Sequence, residues 1–210
     1  MSLHLLASSE ISKVSFKLTK EGDSVLEKIT DSSLRNLVKF LEITGILKRT
    51  QRAGWVDVGV YQPESVADHS FRTAFLCMIY ADMEALDPLK LLRMALIHDL
   101  PEAVIGDLMP SQKTAETKEN EETVIHDILA LLPEMQRENY LAVWNEYQEG
   151  KTKEAKAVRQ LDKIEMALQA KEYEKLGSSS KHLKRFIKSA KEATEWPELK
   201  RLLSCVLEEK

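Results

Sequence analysis

The sequence predicts an all-α fold, and three observations support this prediction. Glycine and proline are scarce, at 7 and 6 of the 210 residues. Runs that alternate apolar and polar residues, as half-buried strands do, are few. From residue 31 onward, apolar residues recur mostly at helical spacing. We therefore expect a single bundle-like domain over residues 31–210, with about five to seven helices.

The first 30 residues are expected to form a short N-terminal extension. Their pattern is irregular, although Val14–Leu18 alternates and predicts a short strand or an extended arm. The first helix is predicted to begin at Asp31–Ser33, whose side chains suit an N-cap, and to end near Gly45. Residues 49–63 contain two glycines and a proline and are predicted to form an ordered loop.

The helices after residue 64 make up most of the predicted bundle. One runs from about Ser65 to Leu86, and Pro88 suits the first turn of the next helix because the missing N–H has no partner there. Further helices are predicted near residues 115–132, 134–149, 153–175, 180–193 and 197–208. The clearest late turn is Gly177–Ser180.

Composition and charge narrow the class of function. With 30 Lys and Arg against 34 Asp and Glu, the net charge is −4, which argues against a protein that coats a nucleic acid polymer. No apolar run reaches the roughly 20 residues of a membrane span, and the first residues do not resemble a signal peptide. Cys77 and Cys205 lie far apart and form no disulfide framework. We expect a cytoplasmic protein with no membrane partner.

Residues 88–106, PLKLLRMALIHDLPEAVIG, carry the strongest chemical signal. Apolar residues surround this predicted helix on every side, which is typical of a buried helix. It nevertheless contains His98, Asp99 and Glu102. Burial of a carboxylate without a partner is energetically costly. These groups are therefore expected either to form an internal His–Asp hydrogen bond or to bind a metal.

Pro101 is expected to break this helix immediately after His98 and Asp99. Proline removes a backbone hydrogen bond, clashes with the preceding turn and disfavours helix at the residue before it. Asp99 and Glu102 have the spacing of a capping box, which predicts that a new short turn starts there. A break at this point would expose polar groups where His98 and Asp99 must converge on a ligand.

Two further segments supply candidate metal ligands. His69 opens the helix predicted after residue 65, although such a histidine taken alone is more often partly exposed. Asp162 lies on the apolar stripe of the helix predicted at residues 153–175. A carboxylate at a core-facing position requires a cation, which is either a metal ion or one of the neighbouring side chains Lys163 and Arg159.

Two imidazoles and two carboxylates form a mixed ligand set that suits one divalent metal ion. Mn²⁺ and Co²⁺ are the first candidates, and Mg²⁺, Zn²⁺, Ni²⁺ and Fe²⁺ are further ones. Four protein ligands on a six-coordinate ion leave two positions, one for water and one for a phosphoryl oxygen. A metal bound in this way acidifies the water and polarises the phosphorus centre.

The order His…His-Asp…Asp resembles the HD-domain superfamily of metal-dependent phosphohydrolases. Four segments extend the resemblance to its 5'-deoxynucleotidase branch: residues 52–55 (RAGW), 63–69 (PESVADH), 98–107 (HDLPEAVIGD) and 160–166 (QLDKIEM). Each motif alone is unspecific, whereas their combination is specific and covers about residues 33–205. The resemblance implies that the all-α fold is an HD-domain helical bundle.

The resemblance also implies an enzyme that hydrolyses 2'-deoxynucleoside 5'-monophosphates to deoxynucleoside and phosphate, and it suggests a homodimer. It implies eight site residues, namely the metal ligands His69, His98, Asp99 and Asp162, the acid/base and water-positioning carboxylates Glu102 and Asp107, the phosphate-binding Arg52, and Trp55 as a wall for the sugar or base.

Some of these assignments leave an alternative open. Arg49 competes with Arg52 for the phosphate, and either arginine taken alone suits a solvated surface position. Trp55 could equally be a core aromatic residue. Asp107 could be a solvated aspartate at a helix end. Ala103 stands where (p)ppGpp hydrolases carry a second carboxylate, which argues against that branch.

The remaining histidines argue for one metal ion rather than two. His4, His126 and His182 lie in no ligand-like context, and His126 is predicted on a polar surface helix. The Gly-Tyr-Pro signature of the cyclic-di-GMP branch is absent.

Two other functions stay open: a phosphohydrolase for another small phosphate ester or cyclic nucleotide, and a non-catalytic metal-containing module that binds nucleotides.

Overall fold

The computed structural model describes residues 32–208. The predicted extension of residues 1–30, with its alternating run Val14–Leu18, and the N-cap candidate Asp31 lie outside the described residues. Within the described range the fold is all-α, as predicted. The β-type pairing in that range is limited to one isolated antiparallel bridge between Gln51 and Ser65.

The long helices agree with the sequence prediction, and their ends lie within three residues of the predicted ones. In chain order the elements are α1 (Ser32–Ile46), α2 (Ala53–Asp57), α3 (Val66–Glu84), α4 (Pro88–Ile97), α5 (Glu102–Ile105), a 3₁₀ helix (Pro110–Gln112), α6 (Ala115–Leu129), α7 (Glu134–Glu149), α8 (Lys153–Lys175), α9 (Ser180–Ala193) and α10 (Pro197–Val206). The number of helical segments exceeds the expected five to seven, partly because the short helices α2 and α5 form beside the candidate site.

The segment predicted as a loop at residues 49–63 contains the helix α2, so that prediction was incomplete. The backbone N–H of Arg52, which precedes α2, donates to the carbonyl of Glu64 at 3.1 Å. The first N–H of α2, from Ala53, donates to the side chain of Asp107 at 2.6 Å. This stabilising acceptor comes from a distant part of the chain, so local sequence could not indicate the helix.

The predicted break at Pro101 is confirmed, since α4 ends at Ile97 and α5 begins at Glu102. The capping box predicted between Asp99 and Glu102 is wrong. Pro101 is the N-cap of α5 and makes no side-chain cap. The Asp99 side chain accepts a hydrogen bond from Arg52 at 3.1 Å instead. Asp99 is therefore directed to the candidate site rather than to the backbone of the next turn.

Local capping fixes the helices that carry the other site residues. Ser65 and Asp68 form a capping box at the start of α3, which sets the direction of the turn that contains His69. Asp87 caps α4, with Pro88 at its first position as predicted. Three residues connect α3 to α4, and the two helices pack against each other.

Three apolar clusters fix the positions of the helices around the site. The first joins α3, α4 and α8 and includes Leu161, the neighbour of Asp162. The second joins α1, α6 and α7 to the break between α4 and α5 and includes Leu100, the neighbour of Asp99. The third packs Trp55 of α2 against α8 and α9. Within residues 32–208, no helix is long and apolar enough to cross a membrane.

Candidate active site

A cavity of about 460 Å³ lies where α2, the break between α4 and α5, α8 and α9 meet. This volume falls in the range of roughly 300–1,000 Å³ that small-molecule sites occupy. One predicted site residue, His69, is fully buried and does not line the cavity, but it contacts the lining residue Asp162. The cavity is lined by the other seven predicted site residues, Arg52, Trp55, His98, Asp99, Glu102, Asp107 and Asp162.

Three of the four predicted metal ligands, His69, His98 and Asp99, converge on one point, and the fourth, Asp162, contacts His69. His69 Nε2, from α3, lies 3.0 Å from Asp162 Oδ1 of α8 and 3.9 Å from Asp99 Oδ2. His98 Nε2, at the end of α4, lies 3.2 Å from the same Asp99 oxygen. The expectation that His69 taken alone would be partly exposed is wrong, because the first turn of α3 lies inside the bundle.

The two imidazoles direct their Nε2 atoms at carboxylate oxygens, Asp162 for His69 at 3.0 Å and Asp99 for His98 at 3.2 Å. Within the described part of the chain both Nε2 atoms are buried, and neither contact has the geometry of a well-aligned hydrogen bond. Their Nδ1 atoms are engaged, that of His69 with Glu165 Oε2 at 2.5 Å and that of His98 with the carbonyl of Ala95 at 2.9 Å. In a neutral imidazole, an Nδ1 that donates leaves a lone pair on Nε2. Together with Asp99, these nitrogens form a group that fits a divalent metal ion.

The electrostatics of the site favour a cation at this point. Burial lowers the pKa of His69, but contacts with the Asp162 and Glu165 carboxylates raise it to about 9. Burial lowers the pKa of His98. Burial opposes the charge on Asp162, yet Lys163 and the two histidines hold the pKa of Asp162 well below its usual value. A metal ion bound at Nε2 of His69 would therefore displace a proton.

Glu102 is buried beside the ligand group, with 6% of its surface exposed. Its Oε2 atom has no hydrogen-bond partner within residues 32–208. Burial, followed by the negative charges of Asp99 and Asp107, raises the pKa of Glu102 well above its usual value. A raised pKa favours the protonated form of a carboxyl group, and the protonated form can act as a general acid.

Arg52 and Asp107 form one contact system at the edge of the ligand group. Arg52 Nη1 donates to Asp99 Oδ2 at 3.1 Å and lies 3.9 Å from Asp107 Oδ1. Burial opposes the charge on Arg52, but the carboxylates of Asp99 and Asp107 raise the pKa of its guanidinium. Asp107 is not a solvated helix-end residue, since its side chain is only 10% exposed. Of the two candidate arginines, Arg52 lines the cavity and Arg49 does not.

Trp55 is both a core aromatic residue and part of the cavity wall. It is 1% exposed, and its indole Nε1 donates to Glu64 Oε1 at 2.9 Å. Its ring lies 3.9 Å from the ring of Phe186 and 5.2 Å from that of Tyr173, measured between centroids. The two alternatives that the sequence left open for Trp55 therefore describe the same position.

Apart from Asp162, sequence reasoning missed the residues that α7, α8 and α9 contribute to the cavity. The amphipathic pattern of α9 places Phe186 on its core face but does not indicate which core it joins. The cations around the site also lacked a signal, because charged residues on helices are mostly solvated. Lys163 was named as a possible partner of Asp162, which it contacts. The missed lining residues with side chains of chemical interest are Lys113, Tyr147, Met166, Arg185 and Phe186.

Glu165 was also missed as a functional residue. It follows Asp162 by one helical turn in α8 and is fully buried against Nδ1 of His69. Arg72 of α3 donates to its other carboxylate oxygen at 2.7 Å. The available signal was a second carboxylate on the core-facing stripe of the same helix, in the segment QLDKIEM.

Comparisons with known proteins place these features in a family. A family model described as HD domain matches residues 44–200. Curated relatives include 5'-deoxynucleotidase HDDC2 of Homo sapiens, which is 39% identical over 81% of this chain and 84% of the human protein. 5'-Deoxynucleotidase YGK1 of Saccharomyces cerevisiae is 34% identical over 70% of this chain and 71% of the yeast protein.

Solved structures with the same arrangement of helices include two archaeal proteins. A protein from Pyrococcus horikoshii aligns with a TM-score of 0.70 and 34% identity, over 80% of this chain and 97% of its own. A conserved hypothetical protein from Pyrococcus furiosus aligns with a TM-score of 0.68 and 33% identity, over 81% of this chain and 99% of its own.

Proposed function

The chain belongs to the HD domain family, and on this basis we propose that it is a metal-dependent 5'-deoxynucleotidase. It would convert a 2'-deoxynucleoside 5'-monophosphate and water to a deoxynucleoside and phosphate. The proposal is carried by the buried Nε2 atoms of His69 and His98, which lie 3.9 and 3.2 Å from one oxygen of Asp99. Relatives named 5'-deoxynucleotidase in organisms from yeast to human support this substrate class.

We propose His69, His98, Asp99 and Asp162 as the ligands of one divalent metal ion. Mixed nitrogen and oxygen ligands suit Mn²⁺ or Co²⁺, with Mg²⁺, Zn²⁺, Ni²⁺ and Fe²⁺ as further candidates. When bound, such an ion lowers the pKa of a water ligand and polarises a phosphoryl group. The Nδ1 contacts of the two histidines keep both Nε2 atoms turned towards Asp99.

The substrate phosphate is proposed to bind beside Arg52. The guanidinium group donates through a planar fork that matches the oxygens of a phosphate. Its contact with Asp99 holds it next to the ligand group, so a bound phosphate would meet both. The apolar wall of Trp55 and Phe186 would contact the sugar or base on the other side of the cavity.

Glu102 and Asp107 are proposed to share proton transfer and the positioning of water. The raised pKa of Glu102 favours it as the group that gives a proton to the departing 5'-oxygen of the nucleoside. Asp107 already accepts the backbone N–H of Ala53, and its second oxygen remains directed towards Arg52. It would orient both the phosphate-binding arginine and an attacking water.

The test is phosphate release from dAMP, dGMP, dCMP and dTMP, compared with the four ribonucleotides, other small phosphate monoesters and a cyclic nucleotide. We expect turnover of deoxynucleotides that stops with EDTA and returns with Mn²⁺ or Co²⁺. Faster turnover of another ester would identify a phosphohydrolase with a different substrate. Metal binding without turnover of any of these compounds would identify a non-catalytic binding module.

We also propose that the protein is a homodimer joined through α3. Phe71, Phe75, Ile79 and Met83 recur every four residues on α3 and are 64%, 47%, 52% and 73% exposed. Residues 73–81 contain no charged side chain. Antiparallel packing of two copies would bring Phe71 to the partner's Met83 and Phe75 to the partner's Ile79, so the stripe is self-complementary.

Light scattering on a sizing column tests the dimer. The wild-type protein should have the mass of two chains, and Phe75→Asp should have the mass of one. The control Met135→Asp, at an exposed apolar residue on α7, should remain dimeric. A monomeric wild-type protein would contradict this part of the proposal.

A cytoplasmic location is proposed as well. Both cysteines, Cys77 and Cys205, are free thiols, which suits a reducing compartment. A tagged protein should fractionate with cytoplasmic markers, and recovery with membranes or in the secreted fraction would contradict the proposal.

A further inference from the structure

A chain of polar contacts leads from His69 away from the cavity towards solvent. Nδ1 of His69 lies 2.5 Å from Glu165 Oε2, and Arg72 Nε donates to Glu165 Oε1 at 2.7 Å. Arg72 Nη1 in turn donates to both oxygens of Glu172 at 2.8 Å. The Glu165 side chain is fully buried, whereas that of Glu172 is 45% exposed. These contacts therefore connect a proposed metal ligand on α3 with the outer surface of α8.

We infer that Glu165 and Arg72 act as a positioning pair that holds His69 in the state that binds metal. This inference rests on the proposed metal site. Arginine remains charged in proteins, and a buried carboxylate needs a charged partner, so Arg72 and Glu165 stabilise each other as ions. An ionised carboxylate only accepts hydrogen bonds. A hydrogen of His69 therefore lies on Nδ1, so Nε2, which faces Asp99 and Asp162, is the nitrogen that binds metal once its own proton is displaced.

The two carboxylates that contact His69 at hydrogen-bond distance each have a cation. Glu165 is paired with Arg72, and Asp162 accepts a hydrogen bond from Lys163 Nζ at 2.9 Å. Neither carboxylate then depends on the imidazole alone to balance its charge. Removal of Arg72 would leave the fully buried carboxylate of Glu165 with His69 as its closest donor. The imidazole would then be stabilised as the charged partner of Glu165, and this competes with metal binding.

His98 shows that the pair is a specific arrangement rather than a general feature of the site. Its Nδ1 donates to the carbonyl of Ala95, one turn earlier, so the backbone near the end of α4 already fixes its orientation. His69 lies in the first turn of α3, and its Nδ1 is directed to another helix. Only a side chain can therefore set its orientation, and groups of this kind typically change metal affinity by about 10–100-fold when removed.

The main experiment is calorimetric titration of the full chain with Mn²⁺ or Co²⁺. Glu165→Gln keeps the size of the side chain and removes its charge, and we expect it to bind metal about 10–100-fold more weakly. Arg72→Met should weaken metal binding in the same direction. The matched control Glu172→Gln removes only the outer, half-exposed contact of Arg72, so its metal affinity should stay within about twofold of wild type.

A spectroscopic measurement separates positioning from a purely structural link between α3 and α8. In the Zn²⁺-loaded protein, ¹⁵N NMR of the imidazoles should show the hydrogen of His69 on Nδ1, and Glu165→Gln should change that signal while the His98 signal stays in place. A merely structural role would lower the unfolding temperature of both Glu165→Gln and Arg72→Met but leave metal affinity unchanged. That result would overturn the inference.

The metal titration also distinguishes this inference from the proposed function. If the wild-type protein binds metal and both Glu165→Gln and Arg72→Met bind it weakly, the inference of a positioning pair is supported even when no deoxynucleotide is hydrolysed. If deoxynucleotides are hydrolysed and both Glu165→Gln and Arg72→Met bind metal as tightly as wild type, the enzyme assignment is supported and the inference of a positioning pair is contradicted. Arg72→Lys, which keeps the charge but loses the fork, should recover part of the affinity that Arg72→Met loses.

Discussion

The cavity has two sides that are built in different ways. On the polar side, Asp99, Glu102 and Asp107 come from the segment between the end of α4 and the 3₁₀ helix. No long helix continues through this segment, so its side chains can converge on one point. On the apolar side, Trp55 packs against Phe186 on the face of the continuous helix α9. The polar side thus takes three of its residues from one short segment, joined by Arg52, His69 and Asp162, whereas the apolar pair comes from segments more than a hundred residues apart.

This difference indicates a division of work. The polar groups are buried at an energetic cost that only pairing or ligand binding offsets, so they are expected to determine metal binding and rate. The apolar side chains are stable where they are, as part of a core cluster, and should contribute mainly to substrate affinity and to folding. Changes on the polar side should lower kcat, and changes on the apolar side should raise KM.

The largest effect is expected for Glu102→Gln on the polar side. The variant cannot transfer a proton, so kcat should fall by about 10²–10⁴-fold, while metal affinity stays near that of wild type. Phosphate-release kinetics and calorimetric metal titration measure the two quantities. Glu116→Gln, at an exposed residue of α6, is the control. Loss of metal binding in Glu102→Gln would show that Glu102 is a metal ligand rather than a proton donor.

A smaller effect is expected at Asp107, where two variants separate its contacts. Asp107→Asn keeps an oxygen that can accept the N–H of Ala53 but loses the charge near Arg52. We expect its kcat to fall by about tenfold or more with little change in stability. Asp107→Ala should in addition lose roughly 1 kcal/mol of unfolding free energy, as capping residues do. Equal stability of the two variants in thermal unfolding would contradict the capping role.

The sequence predicted the polar side because charged residues inside a mostly apolar helix can be recognised from that helix alone. His98, Asp99 and Glu102 stand in an otherwise apolar segment, and Pro101 marks where that segment must break. The same reasoning failed for the capping box, because Arg52, 47 residues away in the chain, binds the Asp99 side chain. A contact with so distant a residue outweighed the local spacing.

The apolar side and the positioning pair could not be predicted, for a different reason. Phe186 has the pattern of any core residue, and the choice of Trp55 as its neighbour is made by the packing of α9. Glu165 was visible as a core-facing carboxylate, but its partners Arg72 and His69 belong to α3, which lies about ninety residues earlier. The long helices were predictable because glycine and proline residues mark many of their ends. The short helix α2 was not, because its first N–H is bound by the distant Asp107.

On the apolar side, Phe186→Leu should affect substrate binding more than rate. It removes the aromatic contact with Trp55, and such pairs contribute about 0.5–1.5 kcal/mol. We expect KM for deoxynucleotides to rise by up to about tenfold, with kcat changed much less. Phe40→Leu, in the cluster around α1 and α6, should leave KM unchanged. A large fall in kcat for Phe186→Leu would contradict the proposed division between the two sides.

The smallest effect is expected for Arg185→Gln, at the border between the two sides. Arg185 lines the cavity, but its guanidinium is bound to Asp57 at 2.7 Å and to the carbonyl of Gly54 at 3.0 Å. Both charged side chains are nearly half exposed, so the variant should lose at most about 1 kcal/mol of stability. Because these contacts join α9 to α2, kcat should stay within about twofold of wild type. A tenfold or greater loss of kcat would place Arg185 on the substrate phosphate and extend the polar side onto α9.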